Sequence, residues 1–248
     1  MSGHSKWATI KHKKGAADKA RGKLFNKIAR LLEVAAREGG GDPTANATLR
    51  SVVQKAKAAQ MTNDAIERAI KRGTGEDDGG TYEAITYEGY APGGVALLID
   101  VLTDNRNRTG AEVRNVFSKL GGSMAEPGAV GWQFSRKGVI TITGGSEDDV
   151  MLAALDAGAE DISADDDGWR VVCDSSAVYE VRDALQAAGL TVASAESTMV
   201  ASVNVEVTDP DDARKILRIM DALEDNDDVQ DVYSNFDISE ELMERVGG

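Results

Sequence analysis

Two histidines, one cysteine and several runs of carboxylates are the side chains in this 248-residue chain that could carry catalysis or hold a metal, and none has the spacing such chemistry needs. His4 and His12 have no cysteine near them, so a tetrahedral zinc set is short of ligands. Between Gly15 and Gly22 lie six residues where a phosphate loop has four, and Leu24 stands where Ser or Thr should follow Lys23. Asp161, Ser163 and Asp165 begin like a calcium loop, yet Asp166 takes the glycine position and Val172 that of the bidentate glutamate. The runs Glu147 to Asp149, Asp165 to Asp167 and Glu224 to Asp228 could hold Mg²⁺ for nuclease chemistry, but each sits in a turn or at a helix boundary, where solvated carboxylates are ordinary. Cys173 closes the apolar run from Trp169 and reads as a small core residue in a reducing compartment. No catalytic residue, metal or cofactor is expected.

The positive signal is basic. Lys6, Lys11, Lys13 and Lys14 occur without an acid among them, with Trp7 and His12 as planar neighbours. They lead into Lys19, Lys23, Lys27 and Arg30. Lysine and arginine neutralise phosphates and release counterions, while tryptophan and histidine stack on unpaired bases. A solvated helix face behind a polar tail is the competing reading of the same residues. A second basic node, Arg106 and Arg108 in Thr103 to Thr109, falls between a strand and a helix start, where backbone amides and two guanidinium groups suit a phosphate. Pairing of both arginines with nearby acids fits equally well.

The average charge opposes this and the local charge supports it. The chain has 28 Lys and Arg against 42 Asp and Glu, net −14. Up to Arg72 there are 16 basic and 6 acidic residues, net +10, which leaves 12 against 36, net −24, for the rest. Steering follows the local field, so the basic end is the candidate for a phosphate partner.

The elements that must position these residues fall into three zones. In the first, a helix is expected over Ala17 to Arg37. At 100° per residue from Lys19, Lys19, Lys23, Lys27 and Arg30 fall at roughly 0°, 40°, 80° and 20°, while Leu24, Ile28, Leu31 and Leu32 fall at roughly 140°, 180°, 120° and 220°; Val34, near roughly 60°, breaks the division. A second helix is expected behind Asp42-Pro43 and a third from Thr62-Asn63-Asp64 to Gly73. The glycine- and acid-rich Gly73 to Gly80 reads as a cap and linker. Beyond it, Tyr82 to Tyr90 and Val95 to Leu102 read as strands joined at Pro92-Gly93, and Thr109 to Glu112 as the capping box of a helix ending at Gly121. From Val139 to Ser197 the order strand, helix, strand, strand, helix, strand predicts a ferredoxin-like module. A strand over Val203 to Val207, a helix behind Asp209-Pro210 and a last strand over Val229 to Tyr233 return to the middle zone. The expected fold is α+β in three domains: a basic helical domain over 1–75, a central α/β domain over 81–136 and 200–240, and an inserted ferredoxin-like βαββαβ domain over 137–199. The N-terminus has no apolar core of a signal peptide, and Gly94 to Ile99 is far short of the roughly 18 apolar residues of a span, so a cytoplasmic protein without a membrane partner is expected.

Several collinear blocks carry a likeness. Gly3 to Trp7, Lys11 to Lys14, Ile66 to Gly73, Tyr87 to Val95, Thr103 to Thr109 and Asp227 to Phe236 together resemble the YebC family, which includes the mitochondrial translational activator of cytochrome c oxidase. Thr62 and Ala201 stand where that family usually has proline. The resemblance implies the same three domains, a role in gene expression and no catalytic residues. Bacterial members are named as probable transcriptional regulators that bind DNA; the mitochondrial branch and some bacterial members are ribosome-associated factors, including ones that relieve stalling at proline runs. The expected partner is therefore nucleic acid, either DNA or ribosomal RNA on the ribosome. The missing helix-turn-helix base-reading signature and the glycine linker favour RNA, and the family name favours DNA.

Overall fold

A computed structural model of the chain describes residues 17–75, 81–165 and 168–246. By contacts they form two compact units, one of Gly131–Asn204 and one of the residues on either side. The flanking unit holds an N-terminal helical bundle and an antiparallel sheet.

The bundle consists of α1 (Ala17–Gly39), α2 (Ala47–Ala58) and α3 (Asn63–Thr74). Their apolar stripes meet in a core of Ile28, Leu32, Leu49, Ala56, Ile66 and Ala69. Leu24, expected inward, is 41% exposed. Two helix boundaries differ from the sequence reading. Asp42 does not cap α2: its carboxylate accepts from the N–H and hydroxyl of Thr44, closing a separate turn, and Asn46 is the cap, accepting from the N–H of Leu49. Gly73 does not end α3 either. A Cβ there would stand 2.3 Å from the carbonyl oxygen of Glu33, so this glycine lets α3 press against α1. The left-handed cap is Gly75, at φ 84°. Thr62 caps the start of α3 through Ala65 N–H.

The sheet has the order β3-β1-β2-β9 from β1 (Glu83–Ala91), β2 (Val95–Thr103), β3 (Ser123–Ala125) and β9 (Val229–Ser234), with every neighbouring pair antiparallel. At the β1–β2 turn Gly93 sits at φ 75°, ψ 6°, the geometry of the third residue of a type II turn. The sheet face carrying Leu97, Ile99 and Val101 is covered by α4 (Arg106–Leu120) and α7 (Pro210–Glu224), which contribute Val113, Phe117, Ile216, Met220 and Leu223. Each such side chain stabilises the fold by about 1.5–3 kcal/mol relative to exposure. The expected capping box at Thr109 is not used. Helix α4 starts one turn earlier, with Asn105 as its cap, and Thr109 is fully buried. The short parallel pair β8 (Val205–Glu206) and β10 (Phe236–Asp237), and α8 (Glu240–Val246), complete this unit. Strand β8 falls within the expected strand over Val203 to Val207, while the segments of β10 and α8 are too short for a legible period.

The other unit runs β4 (Phe134–Thr143), α5 (Glu147–Asp156), β5 (Asp161–Asp165), β6 (Gly168–Asp174), α6 (Val178–Ala187) and β7 (Thr191–Ala201). Its sheet order, β5-β6-β4-β7, all antiparallel, is that of the ferredoxin-like split βαβ. Cys173 is buried in its core beside Ile140, Val171 and Val178, and that burial pushes its thiol pKa up.

Candidate nucleic-acid interface

The spacing of Lys23, Lys27 and Arg30, four and three residues apart, puts them on one face of α1. That face meets the loop where α7 ends. Lys23 Nζ donates to Asp225 Oδ1 at 2.8 Å and to the Asp225 carbonyl at 3.0 Å. Lys27 Nζ donates to the Glu224 carbonyl at 2.9 Å. Arg30 Nη1 reaches the Asp227 carbonyl and Asp228 Oδ1, both at 2.8 Å, and its guanidinium lies 5.3 Å from the centre of the Tyr82 ring. The attraction has two sources, the carboxylates of the run and the negative C-terminal end of α7.

Asp228 is the hub. Its side chain is 6% exposed, yet it is ionised, because Oδ1 accepts from Arg30 while Oδ2 accepts from Arg108 at 2.7 Å, Thr109 at 2.7 Å and Thr103 at 3.2 Å. Burial pushes its pKa up, and the hydrogen bonds from Arg108, Thr109 and Arg30 more than reverse this, leaving it at about 2. Arg108 is in turn held protonated by Asp228 and Asp104. The two basic nodes seen in the sequence are thus one assembly, with Arg30 and Arg108 on the same carboxylate.

The other expected contacts divide as follows. Arg106 is 65% exposed and pairs with Glu83 at 3.2 Å. The start of α4 is occupied by its own cap, Asn105 Oδ1 accepting from the Arg108 N–H at 3.1 Å. Lys19 lies in α1, but its side chain is outside the described residues, as are Lys6, Trp7, Lys11, His12, Lys13 and Lys14.

Other cations of the bundle face solvent. Arg50 and Lys57 lie seven residues apart on α2, Arg68 and Lys71 three apart on α3, and Arg21 on α1; all five are exposed and have no ion pair among the described residues. The sequence reading missed them because it followed only the stripe of α1. Their signal was the polar residues of α2 and α3 that lie off the face carrying Leu49, Ala56, Ile66 and Ala69.

The acidic runs now have places. Ser146 caps α5 and accepts from the Asp149 N–H, so Glu147 to Asp149 occupy a helix N-terminus. The run at 224–228 engages α1, and Asp166 and Asp167 are outside the described residues. Among the described residues no group of three or more His, Cys, Asp or Glu is arranged to hold a metal ion. No described helix is long and apolar enough to cross a membrane.

Two family models match the chain. Residues 5–76 match the TACO1/YebC protein N-terminal domain, and residues 82–236 match the TACO1/YebC second and third domain. Proteins named probable transcriptional regulatory protein are similar over full length. The one from Halothermothrix orenii is 54% identical over 99% of both chains, and the one from Rubrobacter xylanophilus is 55% identical over 100% of both. A crystal structure of a conserved hypothetical protein from Aquifex aeolicus superposes with a TM-score of 0.80 at 42% identity, covering 93% of this chain and 96% of that one. With both domain matches in order and relatives aligned end to end, the chain belongs to the TACO1/YebC family.

Proposed function

We propose that this protein is a non-enzymatic, nucleic-acid-binding regulator of gene expression, and that it acts as a DNA-binding transcriptional regulator. The observation that carries the reading is the segregation of charge, net +10 up to Arg72 and −24 beyond it. Phosphate contact would begin with Lys6, Trp7, Lys11, His12, Lys13 and Lys14, continue along Lys19, Lys23, Lys27 and Arg30, and use Arg106 and Arg108 as a second node. The exposed Arg50, Lys57, Arg68 and Lys71 of the same bundle add further cations. The acidic remainder repels phosphate and confines contact to one end. The division into helical, central and ferredoxin-like domains gives that end its own fold. The names of the relatives support transcription as the process.

A second reading, a ribosome-associated factor that binds ribosomal RNA and relieves stalling at proline runs, is favoured by one feature of the bundle. Helix α3, which follows α2 after four residues, exposes Asp64 and Glu67 in its first half, and these acids suit a phosphate-lined DNA groove poorly.

Binding to duplex DNA and to purified ribosomes, measured across a salt series, tests both. If about six phosphates are neutralised, affinity falls roughly 10³-fold or more between about 50 and 200 mM salt. Changing Lys6, Lys11, Lys13 and Lys14 together to alanine should flatten that slope. Salt-independent binding, or a fourfold variant that binds like the parent, refutes the assignment. Co-sedimentation with ribosomes at a salt concentration where DNA is not bound would select the second reading. A nuclease assay with and without Mg²⁺ is expected to show no cleavage.

A further inference from the structure

We infer that the 224–228 loop is an internal stand-in for a nucleic-acid backbone, and that phosphates must displace it to reach Lys23, Lys27 and Arg30. This rests on the reading of α1 as a nucleic-acid-binding helix and adds its regulation. The loop offers those three side chains what a phosphate strand would, a file of oxygens: the Glu224 carbonyl, the Asp225 carbonyl and carboxylate, the Asp227 carbonyl and Asp228 Oδ1. The same donors cannot serve both partners. While the loop holds them, the cationic stripe of α1 is spent within the molecule.

Three features make this contact reversible. It is polar: the buried core of the bundle, around Leu32 and Leu49, and that of the sheet, around Ile99 and Phe117, are separate clusters with no member in common. Permanent interfaces resemble a divided apolar core, whereas an exposed ion pair such as Lys23–Asp225 is weak and screened by salt. It is open to solvent on one side, where a surface pocket of about 280 Å³ is lined by Arg30, Glu33, Arg72, Tyr82 and Asp227. Finally, Asp228 does not depend on Arg30 alone. When Arg30 leaves, Arg108, Thr103 and Thr109 still satisfy the carboxylate, so opening strands no buried charge.

The test uses the full chain and two probes, a labelled duplex DNA oligonucleotide and an RNA oligonucleotide of the same sequence. Asp225→Lys, at a side chain 79% exposed, sets a cation against Lys23 and Lys27 and weakens the loop's hold. Asp156→Lys on α5 makes the same change of charge at an exposed site of the other unit. Asp225→Lys should bind nucleic acid about 5–10-fold more tightly than Asp156→Lys, a coupling at the low end of the usual range. Asp225→Asn should move affinity in the same direction by less. Spin labels on Glu67→Cys and Arg218→Cys, both exposed, should move apart when oligonucleotide is added, with buried Cys173 left unlabelled. If Asp225→Lys and Asp156→Lys bind alike and the label distance stays fixed, the loop is an ordinary structural contact and only this inference falls. If no form of the protein binds either probe, the reading of α1 falls and takes the inference with it.

Discussion

Replacing Asp228 by asparagine tests whether this carboxylate holds the assembly together by its charge. The side chain is 6% exposed, so little solvent screening needs to be discounted. Its pKa is about 2 in the folded chain against an ordinary 3.8. A difference of that size corresponds to about 2 kcal/mol of extra stability carried by the ionised form. Asparagine forfeits that and also turns an NH₂ group toward donors, since one of its two positions must face Arg30 or the cluster of Arg108, Thr103 and Thr109. The expected loss at pH 7 is therefore at least about 2 kcal/mol and reaches toward the 3–5 kcal/mol seen when a buried pair loses one partner.

The pH dependence separates charge from shape. Because the folded pKa lies below the unfolded one, the stabilisation is complete above about pH 5 and is lost as pH falls through 3.8 toward 2. Urea unfolding of parent and Asp228→Asn, followed from pH 7 down to pH 2, should show a gap that is wide at neutral pH and narrows by about 2 kcal/mol across that window. A gap below about 0.5 kcal/mol at pH 7, within the scatter of an ordinary surface substitution, refutes the view of Asp228 as a charged hub. A gap that stays constant to pH 2 means that the damage is steric.

Four further outcomes follow from the same geometry. Gly73→Ala should destabilise the helical bundle by about 1–3 kcal/mol in thermal unfolding, since its Cβ would meet the Glu33 carbonyl at 2.3 Å. Gly22→Ala, with nothing within 4 Å of the added carbon, should raise stability by up to about 1 kcal/mol. Arg50→Ala, Lys57→Ala, Arg68→Ala and Lys71→Ala should each weaken nucleic-acid binding without sequence preference and lower the salt slope by about one where a phosphate contact is lost. Cys173, fully buried and with its thiol pKa raised by burial, should react with a thiol reagent only when the protein is unfolded in urea.

Much of the fold was legible because long periods report directly on burial. The stripe of Ile28, Leu31 and Leu32, the run Val95 to Leu102 and the alternation of strands and helices through the ferredoxin-like unit each spanned enough residues to be read. What failed was local. Asp42-Pro43 and Thr109-Gly110-Ala111-Glu112 both look like helix starts, but Asp42 closes a turn of its own and Thr109 is drawn inward by the Asn105 carbonyl and Asp228. Gly73 looked like a cap because a glycine at a helix end usually is one, and the close approach of α1 that demands it is invisible in one dimension. The cationic stripe was correctly placed opposite the apolar face of α1. Its partner, some 200 residues away in sequence, could be found only in three dimensions.

That partner changes what a salt titration measures. Each phosphate contact releases counterions from the nucleic acid and steepens the loss of affinity with salt. Opening the contact between α1 and the 224–228 loop has the opposite dependence, because salt screens the exposed Lys23–Asp225 pair and so helps the cations leave. The observed slope is the difference between the two effects. A protein that uses all of these cations on phosphate will thus show fewer apparent contacts than it makes, and Asp225→Lys, with the internal competitor weakened, should show a steeper slope than the parent as well as a tighter complex. A steeper slope separates release of a competitor from a uniform gain of positive charge, which Asp156→Lys supplies without altering the contact.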